Sequence, residues 1–190
     1  MGVKVGLDRE QVVGAAAELL ETDPAGAPPT LAAVAARLGV RTQSLYAHVA
    51  GADDLRRELA LHALARLTDR LRTAAIGVAG RDAVGAIVRA YVTFASEHPG
   101  LYAASMRAPG DDPQLRDAIR DAMEPLNLVF ASYGLAPAEA GHWYRMVFSF
   151  VYGFAALRRD GLMTLPGDPG ETEGRMVRMF GDQLASTRRG

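Results

Sequence analysis

Apolar residues recur at intervals of three and four positions along nearly the whole chain. This spacing places apolar side chains on one face of an α-helix, whereas the alternation of a half-buried strand is absent. Clusters of Gly and Pro separate the apolar stretches and mark connections between helices. The pattern therefore predicts an all-α protein. The predicted helices cover residues 8–21, 31–38, 42–49, 52–75, 81–98, 101–106, 113–133, 137–160 and 171–185.

Short-range signals define the ends of the first two helices. Asp8 is followed three residues later by Gln11, a spacing that lets each side chain accept a hydrogen bond from the other residue's backbone N–H. Thr30 is the expected N-cap of the second helix, and Gly39 is expected to end that helix in a left-handed conformation. Between the two helices, the Asp, Gly and Pro content of residues 23–29 predicts a loop.

Composition narrows the possible chemistry. The chain has 190 residues, of which 49% are hydrophobic and 23% charged, so it can bury a substantial core. It contains no cysteine, which excludes disulfides, thiolate metal sites and a cysteine nucleophile. The four histidines are not spaced for joint metal binding, and no Gly-rich phosphate loop or nucleophile elbow is present. We therefore expect no metal, no cofactor and no enzymatic activity.

Charge and hydropathy argue against export and membrane insertion. The first ten residues are charged and poor in apolar side chains, unlike a signal peptide. The longest strongly apolar stretch, residues 147–157, is too short to cross a bilayer. We expect a cytoplasmic protein with no membrane partner. The formal net charge of -1 lacks the basic excess that many nucleic-acid-binding proteins show.

The segment from residue 30 to residue 55 carries the clearest functional signal. Two short predicted helices are joined by Gly39 and Val40, which is the arrangement of a helix-turn-helix unit. In such units the second helix enters the DNA major groove by its N-terminal end. Leu45 and Val49 are four residues apart and are expected to pack inward, which leaves the polar residues of the first turn on the outer face.

The polar residues of this second helix suit contacts with DNA. Gln43 can form a bidentate pair with adenine, and Thr42 and Ser44 can contact a base edge or a phosphate. The N-terminal end of the helix adds a favourable dipole for phosphate at the same place. The phenol, guanidinium and imidazole groups of nearby side chains are further candidates for contacts with DNA phosphates. The predicted DNA-contacting residues are Arg41, Thr42, Gln43, Ser44, Tyr46 and His48.

The motif L-x-x-V-A-x-R-L-G-V-x-x-x-S-L-Y-x-H-V, over residues 31–49, resembles the DNA-binding domain of the TetR/AcrR (tetracycline-repressor) family. The resemblance covers roughly residues 1–60. Two shorter motifs, at residues 97–102 and 150–157, resemble one subgroup of the family's ligand-binding domains. That subgroup has His-Gly where this chain has Tyr-Gly.

The resemblance implies a two-domain, all-α transcriptional regulator. Its three-helix DNA-binding domain would cover residues 1–55, and a helical domain for ligand binding and dimerisation would cover residues 56–190. A family member of this kind is a homodimer that binds a nearly palindromic double-stranded DNA operator. Binding of a small molecule by the C-terminal domain lowers the affinity of such a dimer for DNA. Repression is the family's commonest mode of action.

One departure from the family pattern concerns the start of the fourth helix. Family members usually have a phosphate-contacting Lys at the position of Ala52, and here the segment reads Ala52-Asp53-Asp54. Carboxylates suit a helix N-terminus but repel phosphate. Residues 1–60 contain six Lys and Arg against eight Asp and Glu, so weak or strongly salt-dependent DNA binding is expected. Two alternatives stay open: a three-helix subdomain that binds nothing, and a ligand-binding helical protein that has lost DNA binding.

Aromatic and Met side chains on the later helices suit a pocket for a small apolar molecule. Pro125 lies inside a predicted helix and is expected to bend it, which would leave room beside Asn127. An aromatic and Met stripe at helical spacing is also what a plain core looks like. The ligand-binding candidates are Tyr91, Phe94, Tyr102, Met106, Met123, Asn127, Phe130, Tyr144 and Phe148.

The last two predicted helices favour dimerisation. Residues 137–160 are apolar nearly all the way round, so both faces of that helix are expected to be buried, one of them against a partner subunit. The final helix carries an apolar stripe, and two such helices from each subunit would form a four-helix bundle. Packing within one chain is the alternative. The predicted interface residues are Phe150, Phe154, Met176, Phe180 and Leu184.

Overall fold

The computed structural model describes residues 6–22 and 27–187, and every regular element in these ranges is an α-helix. The all-α prediction is confirmed. Residues 23–26 of the predicted loop and residues 1–5 of the N-terminal segment lie outside the described residues. In chain order the helices are α1 (Arg9–Thr22), α2 (Leu31–Leu38), α3 (Thr42–Leu45), α4 (Ala52–Ala75), α5 (Gly80–Glu97), α6 (Pro99–Ser105), α7 (Pro113–Ser132), α8 (Pro137–Arg159) and α9 (Pro169–Thr187).

The predicted helix caps are present. The backbone N–H of Gln11 donates to Asp8 Oδ1 at 2.7 Å, and the N–H of Asp8 donates to Gln11 Oε1 at 3.1 Å. The N–H of Ala33 donates to Thr30 Oγ1 at 3.2 Å at the start of α2. These bonds satisfy amides that have no partner inside their own helices, so α1 and α2 begin where the sequence predicts.

The contacts divide the chain into two compact units. Unit 1 joins the first 64 residues to residues 98–115, and unit 2 joins residues 65–97 to the chain from residue 116 onward. The N-terminal segment therefore forms one unit together with α6 and the connection that follows it. The functional division predicted at residue 55 stays a prediction. Within the described ranges, no helix has both the length and the hydropathy to cross a membrane.

In unit 1, α1 packs against α2 and α6, and α2 packs against α3. The carboxylate of Glu21 lies at the N-terminal end of α6, where its Oε1 accepts from Leu101 N at 2.8 Å. Its Oε2 lies 2.9 Å from His98 Nδ1. The first helix is therefore tied to α6 by its last turn. The buried core of unit 1 includes Val12, Ala16, Leu20, Val34, Leu45, Val49, Leu55, Leu59, Leu101 and Leu115.

In unit 2, α5 packs against both α8 and α9. The inward face of α5 presents branched and aromatic side chains at helical spacing, which fill the space between the other two helices. The core of unit 2 includes Val84, Ile87, Val88, Tyr91, Phe94, Leu126, Phe130, Trp143, Val147, Val151, Phe154, Phe180 and Leu184.

Candidate functional site

The turn between α2 and α3 has helix-turn-helix geometry. Gly39 adopts φ 67°, and the N–H groups of Gly39 and Val40 donate to the carbonyls of Ala36 and Ala35 at 3.2 and 3.0 Å. Glycine adopts this left-handed conformation without steric strain, because it has no Cβ. The chain therefore turns sharply from α2 into α3, as predicted from Gly39.

The third helix is shorter than the predicted span of residues 42–49. It ends at Leu45, and the backbone bonds that follow shift to i→i−3 spacing: Tyr46 N donates to Gln43 O, and His48 N donates to Leu45 O. Val49 N also donates to Leu45 O at 2.9 Å. Leu45 and Val49 are both buried, as their spacing of four residues predicts.

The six predicted DNA-contacting residues lie on this segment, around the two buried anchors. Tyr46 is 56% exposed, and the backbone around it is held by the bonds just described. Within the described residues, none of the six side chains forms a hydrogen bond or ion pair, so all are free to meet another molecule. Arg41, Gln43, Ser44 and Tyr46 are exposed, and Thr42 and His48 are half-buried.

Arg41 differs from the other arginines of unit 1 that the structure describes, because it alone has no carboxylate within ion-pair distance. Arg9 contacts Glu58, and Arg37 contacts Glu18. The remaining arginines of the unit, Arg56, Arg57 and Arg107, also have carboxylate partners. An unpaired guanidinium next to the exposed residues of α3 is suited to a phosphate.

The acidic start of α4 is engaged by groups of its own unit. Asp54 Oδ2 accepts from Ala50 N at 2.8 Å, which fixes the turn before the helix. Asp53 lies 3.6 Å from Arg56 Nη2 and 3.2 Å from Arg107 Nη2. The repulsion of phosphate expected from these two aspartates is therefore reduced by two neighbouring guanidiniums.

An aromatic row in unit 2 contains two of the predicted ligand-binding residues, Tyr144 and Phe148, together with Tyr152, which was not predicted. Tyr144, Phe148 and Tyr152 stack along α8, with ring centroids 6.1 and 6.2 Å apart. The ring centroid of Tyr91 on α5 lies 6.5 Å from that of Phe148. Burial raises the pKa of Tyr144 to about 12, so its hydroxyl is neutral and can both donate and accept a hydrogen bond. The row combines apolar faces with polar tips.

Comparison with known proteins decides the family. Residues 84–180 match the family model described as the tetracyclin repressor-like C-terminal domain. An HTH-type transcriptional regulator from Mycobacterium tuberculosis is 35% identical over 159 residues, which is 83% of this chain and 72% of the relative. The chain belongs to the tetracycline-repressor (TetR) family. The resemblance that the sequence motif indicated is confirmed.

A second relative agrees with this TetR assignment, and two solved structures have the same fold. An HTH-type transcriptional regulator from Bacillus subtilis is 30% identical over 83% of this chain and 82% of its own length. A Rhodococcus protein of unknown function has the same fold, with a TM-score of 0.80 and 24% identity over 97% of this chain and 99% of its own. ActR of Streptomyces coelicolor, in its apo form, aligns with a TM-score of 0.69 and 17% identity over 98% of each chain. The two structures support the fold alone.

The other predicted ligand-binding residues of this TetR protein are distributed over both units. Tyr102 and Met106 belong to unit 1. Phe94 and Phe130 are buried in the core of unit 2, and Met123 is half-buried there. That these nine residues form one ligand site stays a prediction.

Asn127 is exposed, and its role in ligand binding stays a prediction. The buried side chains of this part of α7 are Leu126, Val129 and Phe130. An open apolar cleft of about 330 Å³ does lie beside Pro125. Its walls come from the end of α4, the connection to α5, and α7, and none of the nine predicted residues lines it. Among its residues are Arg72, Ile76, Ala79, Ala83, Glu124, Leu128 and Val129.

Trp143 is a candidate ligand contact that was missing from the sequence prediction. Its indole is buried 6.3 Å from the Phe130 ring, and its Nε1 has no hydrogen-bond acceptor within the described residues. A buried donor without a partner costs about 1–3 kcal/mol. The sequence signal was present, since Trp143 is the only Trp of the chain and stands one position before Tyr144.

The predicted dimer residues divide into core and surface. Phe154, Phe180 and Leu184 are buried within the single chain, and Phe150 packs against the first two at centroid distances of 5.5 and 5.8 Å. The three buried side chains are core residues, so a partner subunit would meet Phe150 and Met176, which are half-exposed. The expectation that one face of α8 is buried against a partner subunit stays a prediction, because exposure in a single chain does not test it. Met146, Tyr152 and Leu157 of that helix are exposed.

Proposed function

We propose that this TetR-family regulator is a homodimeric repressor that a small apolar molecule releases from a nearly palindromic DNA operator. The observation that carries the proposal is the exposed segment of residues 41–46. Its polar side chains have no partners in the described part of the chain, while Leu45 and Val49 anchor its backbone. A rigid segment with unpaired polar side chains is what base-edge recognition requires.

Each side chain of this segment has a distinct role in the proposal. Gln43 pairs with an adenine edge, and Thr42 and Ser44 contact a base edge or the adjoining phosphate. Tyr46, Arg41 and His48 hold the DNA backbone. Phosphate contacts position the protein, whereas the Gln43 contact supplies sequence selectivity.

An exposed apolar stripe on α8 supports dimerisation. Met146, Phe150, Gly153 and Leu157 recur at intervals of four, three and four residues and therefore share one side of the helix. No atom lies within 4 Å of a Cβ built on Gly153, so the middle of the stripe is open to close approach of another helix. Met179 on α9 is also exposed. In the proposed dimer, α8 and α9 of two subunits form a four-helix bundle.

The small-molecule site is proposed in unit 2. The aromatic row of Tyr144, Phe148 and Tyr152 supplies apolar surface, and the neutral Tyr144 hydroxyl and the unpaired Trp143 Nε1 supply polar contacts. The cleft beside Pro125 is open space in the same unit. A ligand that is mostly apolar, with one hydrogen-bond acceptor for the indole, fits this combination.

Fluorescence anisotropy tests the DNA-binding part of the proposal. Full-length protein is titrated onto DNA from immediately upstream of its own gene, and onto a scrambled duplex, at low and moderate salt. Selective binding that weakens with salt is expected, because phosphate contacts release counterions. Equal and feeble binding to both duplexes would instead favour a helical ligand-binding protein that has lost DNA binding.

Trp143 provides the test of the ligand site. Because it is the only Trp, its emission reports on its own surroundings without interference. Apolar compounds that release the operator should change this emission at the same concentrations, and Phe148→Ala should weaken both effects. If releasing compounds leave the emission unchanged and depend instead on Leu128, the site is the cleft beside Pro125.

A further inference from the structure

A second cleft lies in unit 1, and of the residues assigned above to DNA or to the apolar ligand only Met106 lines it. Its volume is about 300 Å³. Aliphatic side chains from α1, α4 and α6 supply most of its wall, and two arginines are also part of its lining. The residues that line it are Leu20, Pro28, Arg56, Leu59, Gly100, Ala103, Ala104, Met106 and Arg107.

The two arginines have only one carboxylate between them. Arg56 Nη2 lies 3.6 Å from Asp53 Oδ1, and Arg107 Nη2 lies 3.2 Å from Asp53 Oδ2. These ion pairs are weak, because the Asp53 side chain is 73% exposed and water screens its charge. Two guanidiniums have more N–H donors than the one carboxylate that they share can accept.

Four other carboxylates of unit 1 have partners of their own. Asp54 Oδ2 accepts from Ala50 N at 2.8 Å. Asp112 and Glu58 both contact Arg57, and Glu58 also contacts Arg9. Glu21 receives bonds from the first turn of α6 and from its N-cap residue. Arg56 and Arg107 are therefore the guanidiniums available to an anion that enters the cleft.

We propose that this cleft binds an amphipathic anion, a carboxylate with an aliphatic tail of medium length. The carboxylate contacts Arg107 and Arg56, since guanidinium groups bind carboxylates through paired N–H donors. The tail lies along Leu20, Leu59 and Met106, where its burial is favourable. Bound in this way, the anion competes with Asp53 for both arginines. The lining of this cleft belongs to unit 1, whereas the apolar-ligand site is proposed in unit 2. The proposal of an anion site does not rest on the proposed DNA-binding function.

Isothermal titration calorimetry of the full-length protein with octanoate tests the proposal, and octanol is the probe with the same tail and no charge. We expect one octanoate per chain and binding of octanol at least tenfold weaker. Arg107→Gln should weaken octanoate binding about tenfold or more, as loss of a charged hydrogen bond does. Arg120→Gln is the matched control, because Arg120 pairs with Asp117 on α7 and does not line the cleft.

A steric variant and a folding control complete the experiment. Ala103→Phe should fill the cleft and abolish octanoate binding while the thermal unfolding midpoint stays near that of the parent, because Ala103 is exposed. Equal affinity for octanoate and octanol would overturn the proposal. So would unchanged octanoate binding in both the Arg107 and the Ala103 variants, which would place the probe elsewhere.

Discussion

Arg107 contacts Asp53 across 54 positions of sequence, with Nη2 lying 3.2 Å from Oδ2. Asp53 stands in the first turn of α4, next to the position where TetR-family proteins usually have a phosphate-contacting Lys. Arg107 belongs to the connection between α6 and α7, which packs as part of unit 1. A segment distant in sequence therefore compensates an acidic charge at the start of α4.

This relationship predicts opposite effects of two substitutions on DNA binding. Asp53→Asn should strengthen operator binding about two- to fivefold, and Arg107→Gln should weaken it by a similar factor, as expected for exposed charges. In the Asp53→Asn background, Arg107→Gln should have little further effect if Arg107 acts by neutralising Asp53. Anisotropy titrations of the four proteins measure this coupling. Equal losses from Arg107→Gln in both backgrounds would mean that the arginine contacts DNA by itself.

Gln43 and Tyr46 should affect DNA binding in different ways. Gln43→Ala should reduce discrimination between operator and scrambled DNA by about 1–3 kcal/mol, because it removes a base-edge contact. Tyr46→Phe should weaken binding to both duplexes alike, because it removes a phosphate contact. Asn127→Ala, at an exposed position of α7, is the control and should change neither the discrimination between the two duplexes nor the affinity for them. Unchanged binding in both test variants would remove α3 from the proposed interface.

Gly100→Ala should destabilise the fold, because a Cβ at this position would lie 2.7 Å from the carbonyl oxygen of Leu20. We expect a loss of about 1–3 kcal/mol in the free energy of unfolding, the usual range for overpacking. Gly14→Ala in α1 is the matched control, since a Cβ there meets nothing within 4 Å and should stabilise by roughly 0.5–1 kcal/mol. Urea unfolding followed by circular dichroism measures both. Similar stability of the two variants would contradict the close approach of α1 and α6.

The Arg57–Asp112 pair predicts a dependence of stability on pH. The hydrogen bond from Arg57 lowers the pKa of Asp112 below its usual 3.8. A carboxylate with a lowered pKa stabilises the fold above the pKa of its unfolded state, and this contribution disappears as the pH falls through the folded pKa. Asp112→Asn should therefore be less stable than the parent at pH 7, and the difference should shrink as the pH falls below about 4.

Asp168→Asn is the control for this measurement. Asp112 and Asp168 both accept backbone N–H bonds at the start of a helix, and asparagine retains that capping ability. Asp168, however, has no arginine partner within the described residues. Urea unfolding at several pH values should show a pH-dependent difference for Asp112→Asn alone. If the difference in stability between Asp112→Asn and the parent did not change with pH, Asp112 would stabilise the fold by capping the helix rather than by its charge.

Leu157→Glu should dissociate the proposed dimer. Burying an unpaired carboxylate in an apolar interface is costly, so self-association should weaken roughly a hundredfold or more. Leu165→Glu is the control, because Leu165 is 85% exposed in the connection between α8 and α9. Sedimentation velocity gives the oligomeric state of each protein. A dimer that persists in Leu157→Glu would exclude the α8 stripe as the interface.

Much of the candidate DNA-binding site could be predicted from the sequence because it depends on short-range interactions. The Asp8–Gln11 cap, the Thr30 cap and the left-handed Gly39 involve residues one to four positions apart. Leu45 and Val49 were expected to point inward from their spacing alone, and both are buried. The length of α3 was predicted less well, since the backbone hydrogen bonds after Leu45 include i→i−3 bonds and the helix ends there.

The helices, their caps and the helix-turn-helix unit were thus determined by the sequence alone, since period and capping act within one or two turns. Only the tertiary structure decided which groups far apart in sequence meet: Arg107 with Asp53, and Glu21 with the start of α6. It also decided that Asn127 is exposed and that Leu184 lies inside the core. Periodicity specifies that a helix has an apolar face, but the neighbours packed against that face determine which of its side chains water, a ligand or a second subunit can reach.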